Sequence, residues 1–159
     1  MISRPVEDGD IPVICGFPQS REELFFMFPG ASYPLTPAQL QEAVRRRSDS
    51  TVVDSNGDVV GFANFCRWER GGCCTIGNVI VAPQARGCGV GRYLVETMIG
   101  LARLQHRARE VRLSCYNRNV LGLLLYSRIG FEPIAIEECR DWQGAPAALI
   151  HMRLAHGGH

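Results

Sequence analysis

A chain of 159 residues can bury one sizeable core and is short for two, so a single domain spanning 1–159 is expected. Seventeen basic against sixteen acidic residues leave a formal net charge of +1, too weak a field to recruit nucleic acid or an acidic membrane surface. Charges at Arg4, Glu7, Asp8, Asp10, Arg21, Glu22 and Glu23 break any leader-like start, and no apolar run is long enough for a bilayer, so a soluble, cytoplasmic chain is expected.

Residues 2–6 read as a short first strand, and Asp8 or Asp10 as the start of a weak helix towards Phe17, interrupted by Pro12, Gly16 and Pro18. Ser20 to Glu23 has capping-box spacing ahead of the apolar run 24–28, which Pro29 and Gly30 end. Thr36 can cap a second helix, with Pro37 suited to its first position and Gln39 completing the box; it runs to about Arg47 with Leu40 and Val44 on one face. Residues 51–54 and 59–66 then form a hairpin about Asn56-Gly57, and Gly61 marks a bend or a close approach by a neighbour. A turn at 69–72 leads into a strand over 74–81.

Seven cysteines, an odd number that includes the adjacent pair Cys73-Cys74, show neither a C-x-x-C pair nor a histidine at zinc spacing. Neither a disulfide framework nor a metal site is expected.

The strand ends at Ala82-Pro83, and from Arg86 the chain reads R-G-C-G-V-G before a helical pattern. Glycine at 87, 89 and 91 leaves backbone N–H groups unshielded at a helix start, a nest for phosphate oxygens. A dinucleotide fingerprint would need glycine at 92, where Arg92 stands, and an ATP loop would need a following Lys-Ser/Thr. Cys88 lies at a helix start, where a thiol could be reactive, but no histidine lies near it in sequence to make it a nucleophile. The helix from Val90 carries Val90, Leu94, Met98 and Leu101 on one face.

Alternation over 111–115 predicts the next strand, parallel to 74–81 because a helix separates them. Asn119 can cap a helix over 120–129, ended by Gly130. Residues 131–136 and 147–154 close the domain as an antiparallel hairpin around a 141–146 loop, and residues 156–159 are expected to fray. The result is an α/β fold: a mixed, mostly antiparallel central sheet with one parallel strand pair and flanking helices.

Arg86, Gly89 and Gly91 resemble the acetyl-CoA pyrophosphate loop of the GCN5-related N-acetyltransferase superfamily, with pattern Arg or Gln, two residues, Gly, one residue, Gly or Ala. A second signature of that superfamily is similar to Asn119 followed by Leu125, Tyr126, Arg128, Gly130 and Phe131. The element order also matches, most strongly over residues 51–136. The resemblance implies an acyl-CoA N-acyltransferase fold and acetyl transfer from acetyl-CoA to a primary amine of a small molecule or peptide. It implies cofactor contacts from Arg86, Gly87, Cys88, Gly89, Val90 and Gly91 to the pyrophosphate and from Val79, Ile80 and Val81 to the pantetheine arm and thioester. Asn119 matches a position that often bonds the cofactor, with helix capping as an equal alternative, and Tyr126 matches the tyrosine that donates a proton to the CoA thiolate.

The general base has no obvious candidate, because residues 73–81 contain no Glu, Asp or His. Asn78 cannot take a proton but could anchor a water; Glu22, Glu23 and Glu69 are more distant carboxylates, and an amine arriving neutral would need none. The acceptor pocket is expected around the first two helices, with Glu22, Phe28 and Tyr33 as substrate contacts beside Phe25 and Phe26, although a core role suits those aromatics equally. Trp68 and Trp142 could line the entrance or pack at hairpin ends. A homodimer through the single free strand edge is compatible with the fold. The alternatives kept open are a non-catalytic acyl-CoA sensor and a protein N-terminal acetyltransferase.

Overall fold

Asn56 (φ 54°) and Gly57 (φ 89°) both take the left-handed backbone that a two-residue hairpin needs, and Asp54 Oδ1 accepts from Gly57 N at 2.8 Å. They join β2 (Ser48–Ser55) to β3 (Asp58–Trp68), the middle of a sheet that the computed structural model describes within residues 1–155. Residues 156–159, expected to fray, lie outside the described residues.

Around this hairpin the sheet gains β1 (Ile2–Pro5), β4 (Cys73–Val81), β5 (Glu110–Tyr116), β6 (Phe131–Arg140) and β7 (Pro146–Leu154). Among the described residues the order is β1-β2-β3-β4-β5-β7-β6, antiparallel except for β4 against β5. The expected mixed sheet with one parallel pair is therefore present. The strands outrun the alternation that announced them, β2 and β6 by four residues each at one or both ends, because ladder hydrogen bonds join backbones whatever the side chains are. One expectation is corrected: β7 inserts between β5 and β6, leaving β1 and β6 as two free edges instead of one.

The two faces are covered by different helices. Helix α4 (Val90–His106) packs where Gly61 has no side chain; a Cβ there would lie 3.2 Å from Val90 Cγ1, which explains that glycine. Phe65 faces the same helix, edge-on to His106. Helix α5 (Val120–Ile129) lies on this side too, with Leu125 against Gly91.

The other face carries α1 (Ile11–Cys15), α2 (Arg21–Met27) and α3 (Pro37–Arg46), α1 following a 3₁₀ turn over Asp8–Asp10. Ser20 caps α2 through Glu23 N at 3.1 Å, and Thr36 caps α3 through Gln39 N at 3.4 Å. Neither box closes as read: the Glu23 carboxylate takes Gln19 N and Arg86, and Gln39 turns back to Ser32. Phe62, Phe65, Leu94, Met98 and Leu113 are among the fully buried side chains between the layers. No helix among the described residues is long and apolar enough to cross a membrane. The cysteines are free, and no cluster of three metal-ligating side chains occurs among the described residues.

Candidate active site

The two parallel strands stay together only from Cys73 opposite Glu110 to Ile76 opposite Leu113. Beyond that point β4 bulges: Asn64 pairs with Gly77 and Phe62 with Ile80, so Asn78 and Val79 stand opposite the single residue Ala63. Asn78 takes φ 52°, a conformation asparagine tolerates better than most residues. Its amide explains the choice. Nδ2 donates to the Met27 carbonyl at the end of α2 (2.8 Å), and Oδ1 accepts from Asn64 Nδ2 (2.9 Å), all in a buried setting. Asn78 thus ties α2 to the bulge through both ends of its amide, and it also lines the cavity beyond.

The bulge directs β4 away from β5, which turns to β7 for its partners. Between them lies a cavity of about 40 Å³ whose lining includes Phe26, Asn78, Val79, Ser114, Asn119 and Tyr126. Ala82 N donates to Val60 O on β3. By strand alternation Ile80 also turns its backbone to β3, while Val79 and Val81 turn theirs to the gap. That leaves β4 an open edge on which an extended chain can pair.

At the end of this edge, Gly87 (φ 77°) and Gly89 (φ 85°) take left-handed conformations with open space where a Cβ would stand. Gly89 is the N-cap of α4, and the first amide to find a helical partner is Tyr93 N, on Gly89 O at 3.1 Å. The amides of residues 87–92 meet no acceptor among the described residues. Such a row of donors at the positive end of a 17-residue helix suits a pyrophosphate. Cys88 is exposed within it.

Arg86 does not stand free beside that row. Its guanidinium grips Glu23 with two bonds of 2.9 Å, reaches Phe17 O at 3.4 Å, and donates from Nε to Val81 O at 3.2 Å. The Arg86 hydrogen bond holds the Glu23 carboxyl below the usual glutamate range, so Glu23 is an anion paired across the fold. Glu69 is engaged by Arg67 at the β3–β4 turn, far from the gap. No sequence spacing announces the Arg86–Glu23 fork, since 63 residues separate the pair.

Tyr126 enters the cavity from α5 and packs edge-on to Phe131. Burial, with Cys115 beside it, pushes its hydroxyl pKa well above the ordinary tyrosine value, so it stays protonated at working pH. Burial pushes the Cys115 thiol up to about 12, which keeps it an inert neighbour. Asn119 does both things its position allows: Oδ1 caps α5 through Gly122 N at 3.1 Å, and the side chain lines the cavity.

On the opposite side of the gap the expected acceptor residues separate. Phe25 and Phe26 face Tyr116 at 4.3 and 6.4 Å between ring centres, and Trp142 closes on Phe25 at 6.0 Å. Phe28 lies under the Arg47 guanidinium and Tyr33 under that of Arg21, and neither these two nor Glu22 lines the cavity. Trp68 sits at a hairpin end, opposite Cys74. Beside the aromatic wall, Ser114 Oγ lies 2.7 Å from His151 Nδ1, and His151 Nε2 lies 3.0 Å from Glu137 Oε1. The sequence hides this row because it depends on strand register: β5 against β7 sets Ser114 opposite His151, and β7 against β6 sets Ala135 opposite His151.

A splayed parallel pair, an open strand edge, a helix-start nest and a buried tyrosine together define an acyl-CoA-type transferase fold. The profile of the acetyltransferase (GNAT) family matches residues 18–131, and the chain belongs to that family. Over 82 residues it is 34% identical to streptothricin acetyltransferase of Streptomyces lavendulae, a match covering 50% of this chain and 42% of that protein. The matched stretch is therefore under half of that relative's length. Among solved structures, the ribosomal-protein-alanine N-acetyltransferase of Brucella melitensis superposes with TM-score 0.80 at 20% identity, covering 96% of this chain and 98% of that one. The yncA protein of Salmonella typhimurium, solved with its cofactor acetyl-CoA, gives TM-score 0.76 at 20% identity over 100% and 95%.

Proposed function

We propose that the chain transfers the acetyl group of acetyl-CoA directly to a primary amine of a small molecule or peptide, with Tyr126 as the proton donor to the departing CoA thiolate. The observation that carries this reading is the buried Tyr126 hydroxyl in the one gap where β4 and β5 part. Acetyl-CoA fits the donor groups: open amides at 87–92 suit its pyrophosphate, and the β4 edge at Val79 and the Val81 N–H suits its amide-bearing arm, the Val81 carbonyl being taken by Arg86. The Val79 backbone amide, not that of Ile80, which faces β3, would stabilise the charge developing on the thioester carbonyl, a contribution of about 3 kcal/mol for one well-placed donor.

Tyr126 is suited to the acid role because burial keeps it neutral until a thiolate forms beside it. The same burial disfavours the thiolate, and proton transfer moves its negative charge from sulfur to the Tyr126 oxygen, which takes a proton back before the next turnover. Asn78 holds the bulge that makes room for the reaction, and Arg86 anchors the nest through Glu23. The aromatic wall of Phe25, Phe26, Tyr116 and Trp142 borders the side open to an acceptor. The partial likeness to streptothricin acetyltransferase favours a small amine.

The test pairs calorimetry of acetyl-CoA binding with mass spectrometry of products from streptothricin, polyamines, aminoglycosides, amino acids and alanine-first peptides. Acetylated amine is expected from at least one class. Absence of acetyl-CoA binding would overturn the reading; tight binding without a product in any class would favour a sensor.

A further inference from the structure

The acetyl-transfer reading leaves the amine's proton without a destination. Glu23 is locked to Arg86, Glu69 sits with Arg67 at a remote turn, Glu22 is outside the cavity, and the Asn78 amide is already bonded. Resting on that reading, we propose that Ser114, His151 and Glu137 form the base relay of this enzyme, with His151 Nδ1 as the proton acceptor.

Two geometric facts carry the assignment. Ser114 lines the same cavity as Tyr126, so one end of the row touches the reaction space. Ser114 is also exposed, and the His151 and Glu137 side chains are 33% and 61% exposed, so the row opens to solvent.

The bond directions also fit. A carboxylate only accepts, so the 3.0 Å contact to Glu137 puts a ring proton on Nε2, and in the neutral ring Nδ1 is then the acceptor. Ser114 then donates to Nδ1 across 2.7 Å and turns its oxygen lone pairs to the incoming amine. As the amine nitrogen bonds to the acetyl carbon, the C–S bond breaks and its electron pair leaves on sulfur, which takes the Tyr126 proton. The nitrogen gives a proton to Ser114 Oγ while the serine proton moves to His151 Nδ1. The imidazolium formed faces Glu137, then loses its proton to solvent, and Tyr126 regains one, so the cycle is neutral.

The other charged groups near His151 are accounted for. On β5, Arg112 and Tyr116 flank Ser114; on β6, Cys139 follows Glu137; on β7, Arg153 is two residues away. Arg112 and Arg153 both pair with Glu110, leaving Glu137 as the carboxylate on the imidazole. From α2, Phe25 and Phe26 bring only aromatic surface to Tyr116.

Nitrogen-15 NMR of the imidazoles, with His151 assigned by His151→Gln, tests the relay without any acceptor. A bare Nδ1 and protonated Nε2 are expected at neutral pH; a protonated Nδ1 with bare Nε2 would overturn it. With acetyl-CoA and whichever amine the product screen identifies, His151→Gln should lower kcat about 100-fold or more and abolish the acidic limb of the pH–kcat/KM profile. Glu137→Gln, a change at an exposed site, should lower kcat less than His151→Gln does, with acetyl-CoA affinity preserved. Unchanged kcat and limb in His151→Gln would overturn the relay alone, while loss of acetyl-CoA binding by the unmodified protein would overturn the transfer reading.

Discussion

Replacing Asn78 by alanine tests whether one side chain shapes the donor gap. Alanine removes the bond to Met27 O and the acceptor for Asn64 Nδ2. Stranding the buried Met27 carbonyl costs about 1–2 kcal/mol, and Asn64 loses less because Ser50 Oγ remains at 3.5 Å. Holding alanine at φ 52° adds about 1 kcal/mol. The sum is about 3 kcal/mol, which for a domain of this size lowers Tm by about 6–12 °C. Asn78→Gly loses the same bonds without the backbone penalty and should be about 1 kcal/mol more stable than Asn78→Ala. Urea unfolding of both variants measures the two parts, and acetyl-CoA calorimetry should show weaker binding in each as α2 is released from the bulge. Two variants within about 0.5 kcal/mol of the unmodified protein, with unchanged acetyl-CoA affinity, would refute the argument; that margin is the scatter of ordinary surface substitutions.

Tyr126→Phe keeps the packing volume and deletes the hydroxyl; kcat should fall about 100-fold or more with acetyl-CoA affinity preserved, and an unchanged kcat would remove the acid role. Gly89→Val forces a branched side chain to φ 85° at the nest, so the acetyl-CoA dissociation constant should rise more than about tenfold in calorimetry. The Glu23–Arg86 fork predicts a pH effect of fixed sign. Because the folded pKa of Glu23 is lowered from 4.5, the fork's stabilisation is complete above that value and is lost as pH falls through the lowered one. Glu23→Gln should therefore cost stability in neutral solution, and the difference should shrink in acid unfolding curves; a pH-independent difference would count against the fork.

The parts legible in sequence are those written locally. Asn56-Gly57 states its hairpin, Thr36-Pro37 its helix start, and Gly87 and Gly89 their left-handed turn before α4. Tyr126 and Asn119 also stand where their spacing from the glycine turn suggests, because one helix and one strand fix the intervening geometry. What stayed hidden depends on register or on distant packing. Asn78 gives no sign that it marks a bulge, since the extra residue exists only relative to β3. Arg86 finds Glu23 across the fold, and Ser114 meets His151 because β7 inserts beside β5 instead of following β6 outward. The aromatics show the same limit: a crowded run from Phe25 to Tyr33 cannot reveal that the first two face Tyr116 while Phe28 lies under Arg47.

A crystal structure of the protein with acetyl-CoA tests the central claim most directly. The account predicts the pyrophosphate on the amides of residues 87–92, the pantetheine arm along Val79 and Val81 in the β4–β5 gap, and the sulfur within hydrogen-bonding reach of the Tyr126 hydroxyl. Acetyl-CoA bound with its sulfur outside that gap, or with Tyr126 remote from it, would contradict the account.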